Sequence, residues 1–186
     1  TGREWHGDLS LFGGTADLSG GATAQLSIGG ARAAWLFGGA VRRHNDLRGG
    51  GGADSRHVFR RLFGLDDGTI RSLTGSRMMD TAFTQSGAHT KFALRPDERQ
   101  SFTAWYQFSE QTETDGYKDL WGGLGRMQSK FAPQRLHFAY ARYQRLNVAG
   151  LDQLSGTFSV NSQGDGTVRQ GLRAADTVVT DHALVN

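Results

Sequence analysis

The chain has 186 residues, a formal net charge of +3, 37% hydrophobic residues, 27 glycines, two prolines and no cysteine. A mean hydropathy of -0.48, with the apolar stretch at 31–41 broken by Arg32 and two glycines, excludes a bundle of membrane helices, each needing about twenty mostly apolar residues. Missing cysteine excludes disulfides and thiolate metal centres. Acids lie among the bases, so the pI near 9.6 is not the concentrated basic face of a nucleic-acid binder.

Period-two alternation, the mark of strands with one apolar face, dominates the chain. Glu4–Gly13 sets Trp5, Gly7, Leu9 and Leu11 against His6, Asp8, Ser10 and Phe12. After an intermediate link at 15–21, Ala22, Ala24, Leu26 and Ile28 oppose Thr23, Gln25 and Ser27, and Gly29-Gly30 turns tightly. Residues 31–44 carry Ala31, Ala33, Trp35, Phe37 and Val41 on one face, while Leu36 spoils the other.

A long link, 44–80, follows. Within it, 54–64 reads as a short amphipathic helix, capped by Asp54 or Ser55, with Val58, Phe59, Leu62 and Phe63 on one face and Gly64 as its stop. Its Arg56, His57, Arg60 and Arg61 are candidates to attract an anionic ligand such as a carboxylate-bearing iron chelate, or else to meet lipopolysaccharide or solvent. The run Gly49–Gly52 has no phosphate-loop spacing. Asp66-Asp67-Gly68 is too short for a calcium loop and is expected to form a turn.

Further along, Ala88, Thr90, Phe92 and Leu94 oppose His89, Lys91 and Arg95, ahead of a tight turn at 95–98. Gln100–Ser109 places Phe102, Ala104, Tyr106 and Phe108 opposite Ser101, Thr103 and Gln107, with Trp105 breaking the polar face. A second long link, 110–134, holds Tyr117, Trp121 and Arg126 among Gly122, Gly123 and Gly125. Aromatics and Arg are frequent contact residues, so these are ligand-binding candidates unless they pack on the mouth of the fold. In 135–145, Leu136, Phe138 and Tyr140 read as the apolar face, against His137, Ala139 and Ala141. A tight link at 146–153 leads to Leu154, Gly156, Phe158 and Val160, which oppose Ser155, Thr157, Ser159 and Asn161. A third long link, 164–181, precedes the start of an eighth strand at 183–186.

Short and long links therefore alternate. That rhythm predicts an all-β, antiparallel up-and-down transmembrane β-barrel with short periplasmic turns and long extracellular loops. Polar faces rich in Ser, Thr and Gln suit a wet or plugged lumen, and Trp5, Phe12, Phe108 and Tyr143 near strand ends suit interfacial girdles. A soluble β-sandwich binding module also alternates, but does not require this rhythm. A membrane sheet must close, so seven strands and the start of an eighth are expected to be part of a larger barrel. Thr1–Trp5 shows no secretory leader, which is expected either to have been removed or to lie upstream in a larger protein. No hydrolase elbow, zinc-protease motif or dinucleotide loop is present, so neither an enzyme nor a cofactor or metal is expected.

The segments Asp115-Gly116-Tyr117-Lys118-Asp119-Leu120-Trp121-Gly122-Gly123-Leu124-Gly125-Arg126, 133–143 and 154–163 followed by 177–181 resemble barrel strands of TonB-dependent outer-membrane receptors. The resemblance extends loosely from about Gly7 to the end. It implies a 22-stranded barrel with a plugged lumen in the outer membrane of a Gram-negative bacterium, of which this would be the first third. Plug, energy-coupling box and final strand are missing from this stretch. Its implied partners are outer-membrane lipid, the TonB complex (through a plug) and a scarce nutrient: an iron–siderophore, haem, cobalamin or a sugar. On this reading His89, Lys91, Arg95 and His137, with Arg32 and Arg42, face the lumen and meet the plug. A passive porin-like barrel is the other membrane reading, and an upstream plug would separate the two.

Overall fold

The computed structural model describes residues 2–48, 57–74, 77–78, 80–116, 128–171 and 177–185. Strands β1 (Glu4–Gly13), β2 (Gly20–Gly29) and β3 (Ala33–His44) come first, then the short β4 (Leu47–Arg48). Helices α1 (His57–Phe63) and α2 (Asp67–Thr74) and the short β5 (Arg77–Met78) lead to β6 (Phe83–Asp97) and β7 (Gln100–Thr112). The chain finishes with β8 (Thr114–Asp115), β9 (Gln128–Val148), β10 (Leu151–Gln170) and β11 (Val179–Val185).

All the long strands join one antiparallel sheet in the order β1-β2-β3-β6-β7-β9-β10-β11, each next to its neighbour along the chain; β8 pairs with β9, and β4 with β5 apart from the rest. The sheet is up-and-down and open, with β1 and β11 at its edges among the described residues. Links of two or three residues, at 30–32, 98–99 and 149–150, lie at one end, and the longer links lie at the other. The third long link is shorter than expected, because β10 runs on to Gln170 and β11 begins at Val179.

The sheet forms a single layer. Ile70 of α2, 3% exposed, is the one buried hydrophobic residue among those described. In contrast, Leu9, Leu11 and Phe158 are 68%, 75% and 70% exposed. Register explains why these residues gather. Trp5 stands opposite Ile28, Ile28 opposite Trp35, and Trp35 opposite Phe92; the next row runs Gly7, Leu26, Phe37, Thr90, Tyr106, Ala139 and Val160. Since side chains alternate across a strand, these pairings gather the apolar rows led by Trp5 and Gly7 on one face and leave Ser, Thr, Gln and most charged side chains to the other.

One strand departs from its expected phase. In β9, Ala139 and Ala141 stand opposite Tyr106 and Ala104, so they share the apolar face with His137, which lies opposite Phe108. Leu136, Phe138 and Tyr140 instead join Ser109, Gln107 and Trp105 on the polar face. The apolar reading of 136, 138 and 140 is thus corrected. Small alanines there receive the bulk of Tyr106 and its neighbours, a large–small match that hydrophobicity within one strand does not reveal.

Among the described residues, no helix is long and apolar enough to cross a membrane, which bears only on helices. Helix α1 ends at Gly64 as expected: its φ is 63° and its N–H donates to the Arg60 carbonyl at 3.1 Å. The turn expected at 66–68 is instead a helix start. Asp66 Oδ1 accepts from the N–H groups of Gly68 and Thr69 at 2.8 and 2.9 Å, capping α2.

Candidate functional site

The polar face, near the long-link end, carries a row that runs through all eight long strands: Phe12, Gly21, Arg42, Gln85, Gln111, Gln134, Asp165 and Ala183. The next row toward the short turns contains Ser109, Leu136 and Gln163. Between β6 and β10 these side chains line a groove of about 310 Å³. Glu110 and Arg135 also border it, but they pair with one another in register on the opposite face. Hence Asp165 is the charged side chain that the groove's own face supplies.

A bulge sits beside this groove. Register in β9–β10 shifts between Asp165 and Thr167, leaving Ala132 and Pro133 opposite Gly166. Proline has no N–H to give the ladder and is tolerated at such a position. Gln111 Nε2 donates to Thr114 Oγ1 at 3.0 Å, whereas Gln85, Gln134, Gln163 and Asp165 make no side-chain hydrogen bond to described residues. Their polar groups are open to a ligand or to water.

One step further toward the short turns the polar face becomes aromatic. His89 stacks on Trp105, with ring centroids 5.1 Å apart and planes 12° from parallel. It also covers Gly38, where an added Cβ would lie 2.3 Å from the imidazole. Phe138 and Tyr140 follow on β9 with centroids 6.1 Å apart.

The rim at β1–β3 is held by a polar cluster. Asp17 Oδ2 lies 3.1 Å from His44 Nδ1, and Asp17 Oδ1 accepts from the Ser19 N–H at 3.1 Å. Hydrogen bonds from Ser19, then His44, hold the Asp17 carboxyl below its ordinary value. His44 stacks on Phe83 at 4.6 Å, and Asn45 Nδ2 donates to the Leu18 carbonyl at 2.7 Å. Asp46 accepts from the N–H groups of Thr81 and Ala82 at 3.1 and 3.2 Å, closing the base of the long 45–82 link.

The expected site residues fall in different places. Arg56, Tyr117, Trp121 and Arg126 lie outside the described residues. His57 opens α1. Arg60 pairs with Asp67 at the start of α2, its Nε 3.0 Å from Oδ1, so its charge is partly matched; Arg61 is exposed. Lys91 stands opposite Trp105 and His89 opposite Gln107, both on the polar face. The Arg95 N–H donates to the Arg32 carbonyl at 2.7 Å, tying the two short turns together. His137 is separated from His89: it lies on the apolar face, where its Nδ1 and Tyr106 Oη share a hydrogen bond of 2.9 Å. Among the described residues no three metal-ligating side chains come together.

The glutamine groove escaped the sequence reading, although a signal was present. Gln85 follows the first long link, Gln111 and Gln134 border the second, and Gln163 precedes the third. No protein-family model, curated protein or solved structure matches the chain.

Proposed function

We propose that this sheet is part of the wall of an outer-membrane β-barrel, from a TonB-dependent receptor that imports a scarce small-molecule nutrient. The observation that carries the reading is an apolar face on which the polar atoms of Trp35, Thr90, Tyr106 and Tyr143 find hydrogen-bond partners within the face itself. Trp35 Nε1 donates to Thr90 Oγ1 at 2.7 Å, and Thr90 Oγ1 donates to the Leu36 carbonyl at 3.1 Å. Tyr143 Oη donates to Gln100 Oε1 at 2.7 Å, and Tyr106 meets His137. In water such groups have no need of each other; in hydrocarbon each unsatisfied group costs several kcal/mol.

Dimensions support the same reading. Strands β1 and β2 have 10 residues each, the length with which a strand tilted by about 45° crosses the hydrocarbon core. Trp5, Trp35, Phe92, Phe102 and Tyr143 gather on the apolar face toward the short turns, where an interfacial girdle belongs. Closure needs strands beyond these eight, because lipid-exposed edges would leave backbone groups unpaired. The polar face then lines the lumen and the long links face the exterior. Ligand is captured there and passed inward when an energised plug moves; no bond of the cargo is made or broken.

Fractionation tests this directly. The native protein is expected in outer membranes, extracted by detergent and not by high salt or alkali, with unheated samples migrating differently from boiled ones on a gel. Recovery from the aqueous fraction as a monodisperse species, without detergent, would overturn the membrane reading in favour of a β-sandwich whose second sheet covers the apolar face.

A further inference from the structure

The groove between β6 and β10 has a chemistry distinct from that of an anion site, and we infer that it binds a neutral, polyhydroxylated ligand, an oligosaccharide. The inference rests on the receptor reading only for where the ligand goes next; the groove stands on the polar face whatever covers the other one.

Four glutamines converge there, Gln85, Gln111, Gln134 and Gln163. Each carries two donors and an acceptor with two lone pairs, so every one can both give and accept a hydrogen bond. A sugar hydroxyl has the same dual capacity. Gln85, Gln111 and Gln134 stand in one row on successive strands about 4.8 Å apart, a spacing commensurate with a hexose ring, and Gln163 stands one row along on the next strand, so neighbouring amides meet neighbouring hydroxyls along a chain. A volume of about 310 Å³ sits at the small end of ligand sites, roughly 300–1,000 Å³.

Charge argues against the anionic alternative. Asp165 is the charged side chain on the groove's face, and it is exposed and without a described partner. A carboxylate-bearing chelate would meet a carboxylate. Arg42 does share the amide row, beyond Gln85, but its guanidinium lies over the Phe12 ring, 5.1 Å from the centroid. For a sugar, Asp165 is an asset, since a carboxylate accepts from hydroxyls in strong, charge-assisted bonds.

The apolar side of a pyranose also finds a surface. Leu136 lines the groove, and Phe138 follows it on the same face, about 6.8 Å along β9. Aromatic rings carry a negative face that attracts the weakly positive C–H edge of a sugar. Amides at the rim and Phe138 with Tyr140 further in therefore form a path of one chemistry down the polar face.

The test uses the native protein purified from its own cells, with its fractionation recorded first. It is titrated calorimetrically with maltoheptaose, xylohexaose, cellohexaose and isomaltohexaose, and separately with ferric citrate. At least one oligosaccharide is expected to bind. Gln134→Ala and Gln163→Ala should each weaken it roughly 3- to 10-fold, the loss of one or two neutral hydrogen bonds, while Gln25→Ala, on the same face outside the groove, leaves it unchanged. Hydrogen exchange on the unmutated protein guards against variants that fail to fold: bound saccharide should slow exchange in peptides covering 128–136 and 161–165. No saccharide binding at millimolar concentration, binding indifferent to both glutamine variants, or binding of ferric citrate alone would each overturn the assignment. Saccharide binding by a protein found in the aqueous fraction would sink the import reading and leave the groove's ligand standing.

Discussion

The indole Nε1 of Trp35 donates to Thr90 Oγ1 at 2.7 Å across 55 residues of sequence, and the same hydroxyl passes its own proton to the Leu36 carbonyl. Two strands are thereby joined on the apolar face by a chain of bonds that leaves neither polar group unpaired. Thr90→Val keeps the shape and the strand preference of the side chain but removes the acceptor. It is expected to destabilise the sheet by about 1–3 kcal/mol, the cost of an orphaned donor, whereas Thr90→Ser stays close to the parent. Urea midpoints in lipid vesicles, followed by gel mobility of unheated samples, would measure both.

Phe158 offers a sharper division between lipid and water. Its side chain stands on the apolar face and is 70% exposed. In a lipid-facing wall, Phe158→Arg is expected to cost about 2–4 kcal/mol. On a water-facing surface the same change would fall within about 0.5 kcal/mol of neutral. A null result in the vesicle unfolding experiment therefore argues against the membrane reading.

On the opposite face, His89 lies across Gly38 and against Trp105, and a Cβ at Gly38 would enter the imidazole. Gly38→Ala must push His89 off that stack. Overpacking of this kind costs about 1–3 kcal/mol, and the double variant Gly38→Ala with His89→Ala should recover most of it. Unfolding midpoints of the two single variants and the pair give the coupling; additive losses would show that the two residues do not press on each other.

The rim and α2 should respond to acid. Asp17, held low by Ser19 and then His44, and Asp66, held low by the Thr69 hydroxyl and then its N–H, both lie below the ordinary carboxyl value of 3.8. A depressed folded value means that the stabilisation is present above the unfolded value and disappears as pH falls through the folded one. Protection of the Ser19 and Thr69 amides from hydrogen exchange, corrected for intrinsic rate, should be flat from neutral pH to about 5 and decline below about 4. Asp17→Asn and Asp66→Asn should each flatten the decline at its own amide only. A decline that persists in both variants would assign the acid response elsewhere.

Much of this fold can be read along the chain. The β1 strand occupies the expected Glu4–Gly13, the long and short links alternate as expected, and the helix stop at Gly64 falls where expected. The turn expected at Asp66-Asp67-Gly68 is a helix start because an Asx turn and a helix N-cap begin with the same carboxylate-to-amide bonds, and only the residues that follow distinguish them. The groove is hidden in the sequence for a different reason. Gln85, Gln111, Gln134 and Gln163 are spread along the chain from the first long link to the third, and nothing within any one strand says that they fall in two adjacent rows of one face.

The sequence by itself determined that these segments are strands, and for β1, β2, β3, β6, β7 and β10 it determined which face is apolar, because a period of two is a local property of each segment. Tertiary structure decided the phase of β9, moving His137 to the apolar face beside Tyr106 and Phe138 to the polar face beside Gln107. It also decided that four distant amides and Asp165 line one groove. Both follow from register, which depends on how neighbouring strands slide past one another until large side chains meet small ones.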